Sequence, residues 1–332
     1  AIFSTAILCV SAMASTGLAA DKVKVRGCTV APAGTPWEQQ LKETMKHIRS
    51  DSDGRIKLKV YWGGAKGGEP ECAAKVQKGK KLHLYGGTIS ALSGMIPALE
   101  AFDLPFLWNS QKEVDYVLDE HAIPEVKKLL GANGFTFYQW AENGWQSIGT
   151  KGKFVKSPAD VSGLKMRAQP IEVHKLTWKI MGSTVVPLDT PEVLEALETG
   201  KADSFSQSAL YTFAAGWQSH ITHYTISRHL YQPGLIMYSK TWFDGVPADL
   251  QKVLLAHAKT DTLNSRKAIR ALEPQLLDNF KSFGIKLYEL TDAEKKSFSS
   301  KAKEVRTAYE KVAGPEAKAL LKVFDKGKAA FK

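Results

Sequence analysis

Cysteine is scarce in these 332 residues: three occur, at Cys9, Cys28 and Cys72. So few sulfurs exclude a disulfide-built miniature fold and a cysteine-rich zinc module, both of which need several closely spaced thiols. Cys28 and Cys72 are also too far apart for a redox C-x-x-C pair. They suit one disulfide in an oxidising compartment, or two buried thiols, and the sequence leaves both open. There is no G-x-S-x-G, no phosphate-cradling glycine loop and no dinucleotide fingerprint. His220 and His223 have H-x-x-H spacing, but no glutamate lies between them and no cysteine pair lies near; they read as turn histidines. No enzyme activity, metal or cofactor is therefore expected.

Long runs of one charge are missing too. The formal net charge is +11, yet the lysines are scattered and never interleave with aromatics. Nucleic acid is not an expected partner. A basic surface does speed encounter with anionic solutes. Only the N-terminus is apolar over any length. Ala1 to Leu18 carries no charge, and Gly17-Leu18-Ala19-Ala20 puts small residues before Asp21-Lys22, as at a signal-peptide cleavage site. A basic leader region and an initiator Met are lacking, so residues 1–20 read as a partial signal peptide. The stretch falls short of the ~20 apolar residues that span a bilayer, and Leu8 before Cys9 does not suit lipidation. Export to the periplasm is the expectation.

What is present is alternation of strand and helix patterns. Val23 and Val25 alternate with Lys22, Lys24 and Arg26, a strand with one buried face. Thr35-Pro36-Trp37-Glu38 reads as a capping box opening a helix with Trp37, Leu41, Met45 and Ile48 on one side. Asp53-Gly54 ends it. Ile56, Leu58, Val60 and Trp62 mark a second strand. A helix holding Val76 stops at Gly79, and Leu82 to Tyr85 reads as a strand. The pattern returns later: Thr190-Pro191 opens a helix with Val193, Leu194 and Leu197 on one face, Gly200 closes it, and Ser204-Phe205 follows. Two α/β halves are implied, with mostly parallel sheets flanked by helices, and ligands in such sheets sit beyond the carboxyl ends of strands. Tyr138 to Trp145, then Gly149 to Gly152, read as the first crossing between halves, and Tyr231 to Tyr238 as the return. Lobe I then takes 21–145 plus 235–272, and lobe II takes 146–234 plus 273–332. Helices fill the remainder, with Val305, Tyr309 and Val312 on one face of the last stretch.

Several segments, in order, resemble the periplasmic solute-binding subunits of TRAP-type transporters: "GTPWEQQL", "GGEPECAAKVQKGK", "IPALEAFDLPFLW", "GLKMRAQPIEVHKLTWKIMGSTVVPLDTPEVLEALETGKAD" and "LYQPGLIMYSKTWFDGVPADLQKVL". The likeness runs from about Lys22 to about Ala258. It implies a two-lobed periplasmic-binding-protein fold, a cleft that closes on ligand, a long helix laid across both lobes, and a membrane permease as partner. It also implies that Arg167, in "GLKMR", pairs with the ligand's carboxylate. The physical case agrees, because a guanidinium fork grips a carboxylate with two parallel hydrogen bonds. Two departures shape the ligand. Where many members carry a second arginine this chain has Gln146, and where they carry Asn it reads Asp203-Ser204-Phe205-Ser206 and then Gln207. A positive charge is gone, which favours a monocarboxylate with an apolar or aromatic body over a dicarboxylate.

Gln169 shares Arg167's facing by the two-residue period of a strand. Thr88, beside Gly87, ends a first-half strand and offers an N–H and a hydroxyl to the cleft. Trp37, Trp108, Trp145 and Tyr211 stand near loop ends where they suit a pocket wall. Glu142 is an acid at the crossing, and Asp189 either edges the cleft or caps the next helix. The competing readings are a receptor for a hydrophobic or lipid-like solute, and a sensory or scaffold binding protein without a permease.

Overall fold

The computed structural model describes residues 22–332, so the leader read at residues 1–20 lies outside the described residues. The first half contains β1 (Val23–Cys28), α1 (Pro36–Asp51), β2 (Ile56–Tyr61), α2 (Glu69–Gln77) and β3 (Leu84–Thr88). Helices α3 (Gln111–Tyr116) and α4 (Ile123–Ala132) follow, joined by a π-helical turn at Val117–Ala122. Strand β4 (Phe135–Thr150) leads to the second half: β5 (Lys165–Ala168), α5 (Glu172–Met181), β6 (Thr184–Pro187), α6 (Val193–Glu198), β7 (Ser204–Gln207) and α7 (Ala209–Ala214). Strand β8 (His223–Ser239) returns. Then come α8 (Lys240–Asp244), α9 (Ala248–Leu255), α10 (Ala258–Arg270), α11 (Glu273–Ser282), β9 (Lys286–Glu289), α12 (Asp292–Val312) and α13 (Pro315–Ala330).

The strands join into one mixed sheet of order β2-β1-β3-β8-β4-β7-β5-β6, with β9 beside β8. Within each half the short strands pair in parallel, as helix-linked strands must. The two segments read as crossings belong to the two longest strands. β4 and β8 pair antiparallel from Phe135↔Ser239 to Thr150↔His223, with register shifts at Phe137/Gln139, Glu142/Gly144 and Gln146/Ile148. Both strands are buried nearly throughout, so they lack the in–out alternation that marks a half-buried strand.

Other expectations shift for local reasons. The strand read at Leu82–Tyr85 runs instead over Leu84–Thr88, straight through Gly86-Gly87. A Cβ on Gly87 would collide with the Glu69 carboxylate and the Tyr85 hydroxyl, so glycine here makes room for side chains. The capping box does not form. Thr35 Oγ1 donates to the Pro32 carbonyl (2.7 Å), and Glu38 accepts from Gly34 N (2.6 Å) instead of from Thr35. On α6, Val193, Ala196 and Leu197 are buried while Leu194 is exposed; on α12, Val305 and Tyr309 are buried while Val312 is exposed. Gly79 and Gly200 both take positive φ after their helices, 62° and 72°, which glycine allows without strain.

The long helix of the resemblance is a run of three, α9 to α11. Leu250 and Leu254 of α9 pack under Tyr238 in a first-half cluster, each contributing about 1.5–3 kcal/mol by burial. Phe280 of α11 packs with Tyr224 and Phe205 in the second half. Between them, α10 is tied to the first half by charge. Arg266 donates to both Asp119 oxygens (2.7 and 3.0 Å), and Arg270 to both Asp115 oxygens (2.7 Å each) and to Glu142. Residues 273–332 group with the second half by chain order, yet α13 crosses back: Phe324 packs on Phe102 (ring centroids 4.8 Å) and Trp108 (5.2 Å) of the first-half core.

Candidate functional site

Between the halves lies a cavity of about 810 Å³, mouth included. Its wall is built where strands end: Thr29 after β1, Thr88 at the end of β3, Gln169 after β5 and Gln207 at the end of β7. This is where parallel α/β sheets leave room for a ligand. The floor comes from β4 and β8, and α1 and α10 cover one side.

Arg167, the expected carboxylate partner, stands on β5 and is not itself among the residues that line the cavity, although Gln169, two residues on, is. It is 1% exposed, and both Nε and Nη2 donate to the Leu188 carbonyl (3.2 and 2.9 Å). Its guanidinium lies over the Trp217 ring, 5.5 Å from the centroid. Among the described residues no carboxylate comes within 4.0 Å of it, and no hydrogen bond engages Nη1. Burial pulls its pKa down to about 10, while Tyr211, Asp189 and Glu69 hold it up. A buried cation without an anion is costly. This one is poised to gain from one.

Within its electrostatic reach is a residue that the sequence reading did not single out. Glu69, at the start of α2, lines the cavity and is buried. Its carboxylate accepts from Thr88 N (2.7 Å) and Thr88 Oγ1 (2.8 Å). Thr88 thus spends both groups on Glu69 instead of offering them to the cavity. Burial pushes the Glu69 pKa up to about 7 against the lowering effect of those bonds. An acid in the first turn of a helix is ordinary, so nothing in the sequence marked it. Because its folded pKa lies above its unfolded value, the acid form is favoured in the fold. The stability cost is absent below about pH 4.5, grows as pH rises towards 7, and then levels off. Glu69→Gln is expected to stabilise the ligand-free protein by a few kcal/mol above pH 7 and by almost nothing at pH 4. Urea midpoints across that range check this, and a pH-independent difference would contradict it.

Of the other expected residues, Trp37, Glu142, Gln169, Gln207 and Tyr211 line the cavity. Trp37 Nε1 donates to the Glu142 carbonyl (2.8 Å), and its ring meets Tyr211 at 6.0 Å. The Glu142 carboxylate turns away to Arg270 (2.9 Å). Burial raises its pKa against the pull of that partner. Gln146 and Trp145 are not in the wall, because the register shift at Glu142/Gly144 turns the next side chains to other faces. Gln146 has no exposed surface; it donates to Gln232 Oε1 (2.8 Å) and accepts from Ser206 (2.6 Å). Trp145 packs on Tyr231 (5.3 Å) and borders separate grooves, one of them shared with Trp108. Asp189 N donates to Glu192, which anchors the following helical turn.

An amide network runs through the wall, and the sequence reading did not single out two of its members, Asn143 and Gln232. Asn143 donates to Gln207 (2.8 Å) and Gln232 (2.7 Å), and Gln232 donates to Asp103 (2.6 Å) and Gln169 (3.0 Å). It fixes Gln169 and Gln207 in place. Cys28 and Cys72 are joined in a disulfide that ties the end of β1 to α2, close to Thr29 and Glu69. His220 stands 3.8 Å from Glu198, and His223 rests on Phe154. Among the described residues no group of three His, Cys, Asp or Glu can hold a metal, and no helix is long and apolar enough to cross a membrane.

Residues 28–312 match the model of a family described as bacterial extracellular solute-binding protein, family 7. The chain is 25% identical over 279 residues, 84% of each chain, to the 2,3-diketo-L-gulonate-binding periplasmic protein YiaO of Escherichia coli. Among solved structures it is similar to the sugar acid binding protein DctPAm of Advenella mimigardefordensis in complex with galactonate. That pair has a TM-score of 0.86 at 24% identity, covering 92% of this chain and 99% of the other. It is likewise similar to a TRAP periplasmic solute binding protein of Sulfurospirillum deleyianum with bound succinate, with a TM-score of 0.84 at 21% identity, covering 91% and 98%.

Proposed function

Because this chain belongs to family 7 of the bacterial extracellular solute-binding proteins, the TRAP-type binding subunits, we propose that it captures a small monocarboxylate between its halves and hands it to a membrane permease. The observation that carries this reading is Arg167: a buried cation two residues before the cavity-lining Gln169, with no carboxylate among the described residues within ion-pair distance. In that dry setting a ligand carboxylate would exchange hydration for a charge-assisted hydrogen bond, the strong kind. Relatives named for 2,3-diketo-L-gulonate, galactonate and succinate support organic acids as the class. The absence of a second buried arginine at Gln146 supports one carboxylate over two.

In this reading Gln169 and Gln207, held by the amide network, orient the acid, while Trp37 and Tyr211 flank its body. Thr88 acts through Glu69. The halves swing about β4 and β8, and the ligand favours the closed form only by contacts it makes to both. No bond of the ligand is broken; the solute passes on unchanged.

Mass spectrometry of small molecules released from the purified, denatured protein tests the class, followed by calorimetry of the candidate acids. Recovery of a carboxylic acid that binds stoichiometrically is the expected result. Recovery of a neutral lipid, with no acid in a broad panel binding, would replace this reading with the hydrophobic-solute one.

A further inference from the structure

Gly68, which opens α2, has an ordinary backbone, φ −63° and ψ 175°, so its conformation does not call for glycine. Space does. A Cβ built there would lie 3.0 Å from Asp189 Oδ2 and 3.2 Å from Asp189 Cγ, and all three atoms nearest to it belong to Asp189. Gly68 is in the first half and Asp189 in the second, so this glycine keeps clear a space that only the meeting of the halves fills. Close by, a Cβ on Gly64 would lie 3.7 Å from Pro191 Cγ. The two turns therefore meet at two points, and the residues next to the contact, Glu69 and Thr190, line the cavity.

Each turn is fastened to its own half. Gly63 N donates to the Ala31 carbonyl (2.9 Å), Gly64 N to the Thr29 carbonyl (3.0 Å), and Lys75 Nζ to the Lys66 carbonyl (2.8 Å). In the other turn, Leu188 N donates to the Ala168 carbonyl (3.0 Å) and Asp189 N to Glu192 (2.8 Å). The Leu188 carbonyl, one residue before Asp189, is the one that accepts from Arg167. Cations near the contact are engaged elsewhere: Lys75 with Glu71 (2.6 Å), and Lys66 over the Tyr61 ring (4.3 Å). The turns thus meet by shape and can part without breaking an ion pair.

We infer that the turn Leu188–Pro191 is the gate of the cavity and the glycine turn Gly63–Gly68 its seat, so that solute passes only when Asp189 has lifted off Gly68. Arg167 links the gate to recognition. It holds the Leu188 carbonyl through Nε and Nη2 while Nη1 is unengaged. A carboxylate taken up at Nη1 leaves that hold intact and stiffens it. This link rests on the organic-acid reading above; the gate and its seat do not.

In Gly68→Cys/Asp189→Cys the two Cβ atoms would stand 3.7 Å apart, within the range of a disulfide. Mild oxidation of the full chain is expected to join them in most molecules, read as a crosslinked peptide by mass spectrometry, whatever the solute. After oxidation with galactonate present, then dialysis, the joined chain is expected to keep galactonate about tenfold longer or more than the reduced chain does. Absence of the crosslink overturns the seat, and equal release of galactonate by the two forms overturns the gate. A second comparison guards against a misfolded cysteine variant. Gly68→Ala is expected to weaken galactonate binding roughly fivefold. In an Asp189→Ala background it is expected to change binding little, because only Cβ of residue 189 is left, at 3.7 Å. An equal effect in both backgrounds also overturns the seat. The organic-acid reading fails separately, when neither galactonate nor succinate binds the wild type while the crosslink still forms, a result that supports the seat.

Discussion

Replacing Arg167 by methionine is expected to weaken binding of the captured acid by roughly a hundredfold or more, with the ligand-free fold intact. The two halves of this expectation have different causes. In the complex, the guanidinium meets a carboxylate in a site from which water is excluded, and removing one partner leaves the other charge buried alone. In the ligand-free protein the same cation is a burden, since burial drags its pKa down to about 10 and Asp189 and Glu69 offset that only in part. Methionine relieves the burden but leaves the Leu188 carbonyl without its donors, a loss of about 1–3 kcal/mol. The two effects oppose each other, so the melting temperature of the ligand-free protein should move by only a few degrees. Calorimetry and thermal melts check the pair together. Affinity within about threefold of wild type would remove the arginine from the account of recognition. A lysine at this position should recover only part of the affinity, because a point charge lacks the fork.

The second large effect concerns stability. The Cys28–Cys72 bridge closes a loop with a sequence separation of 44, and both cysteines are buried in the main first-half cluster. Loop-closure entropy for that length is about 4 kcal/mol. The double variant Cys28→Ala/Cys72→Ala, free of a leftover thiol, is expected to melt roughly 10 °C lower. Reductant should lower the wild-type transition in the same direction and leave the double variant unmoved. Identical melting of wild type and variant would show that the bridge contributes nothing. Ligand affinity should also fall modestly, since the bridge holds the loop bearing Thr29 to the helix bearing Glu69.

Much of this architecture was legible one segment at a time. The spacing of Trp37, Leu41 and Ile48 gave α1, and Gly79 and Gly200 gave the ends of two helices, because a local backbone demand leaves a local mark. β3 was legible only in part, since Gly86-Gly87 mimic a turn unless the nearby carboxylate and phenol are known. β4 and β8 were read as crossings without their strand conformation, because strands covered on both faces show no alternation. The candidate site divided in the same way. Arg167 could be singled out from its segment. Glu69 and Gly68 could not, since an acid in a first helical turn and a glycine before a helix are both common and usually bland.

Order of elements, the split into two α/β halves and the placing of an arginine at a strand end are properties of neighbouring residues, and the sequence determined them alone. Three matters waited for the tertiary structure: which β4 side chains face the cavity, which polar groups are already matched, and where the last helix docks. Each depends on distances between residues far apart in the chain. Three register shifts set the facing, partners as far as 129 positions away set the matching, and packing against Phe102 and Trp108 sets the docking. No local pattern encodes such distances.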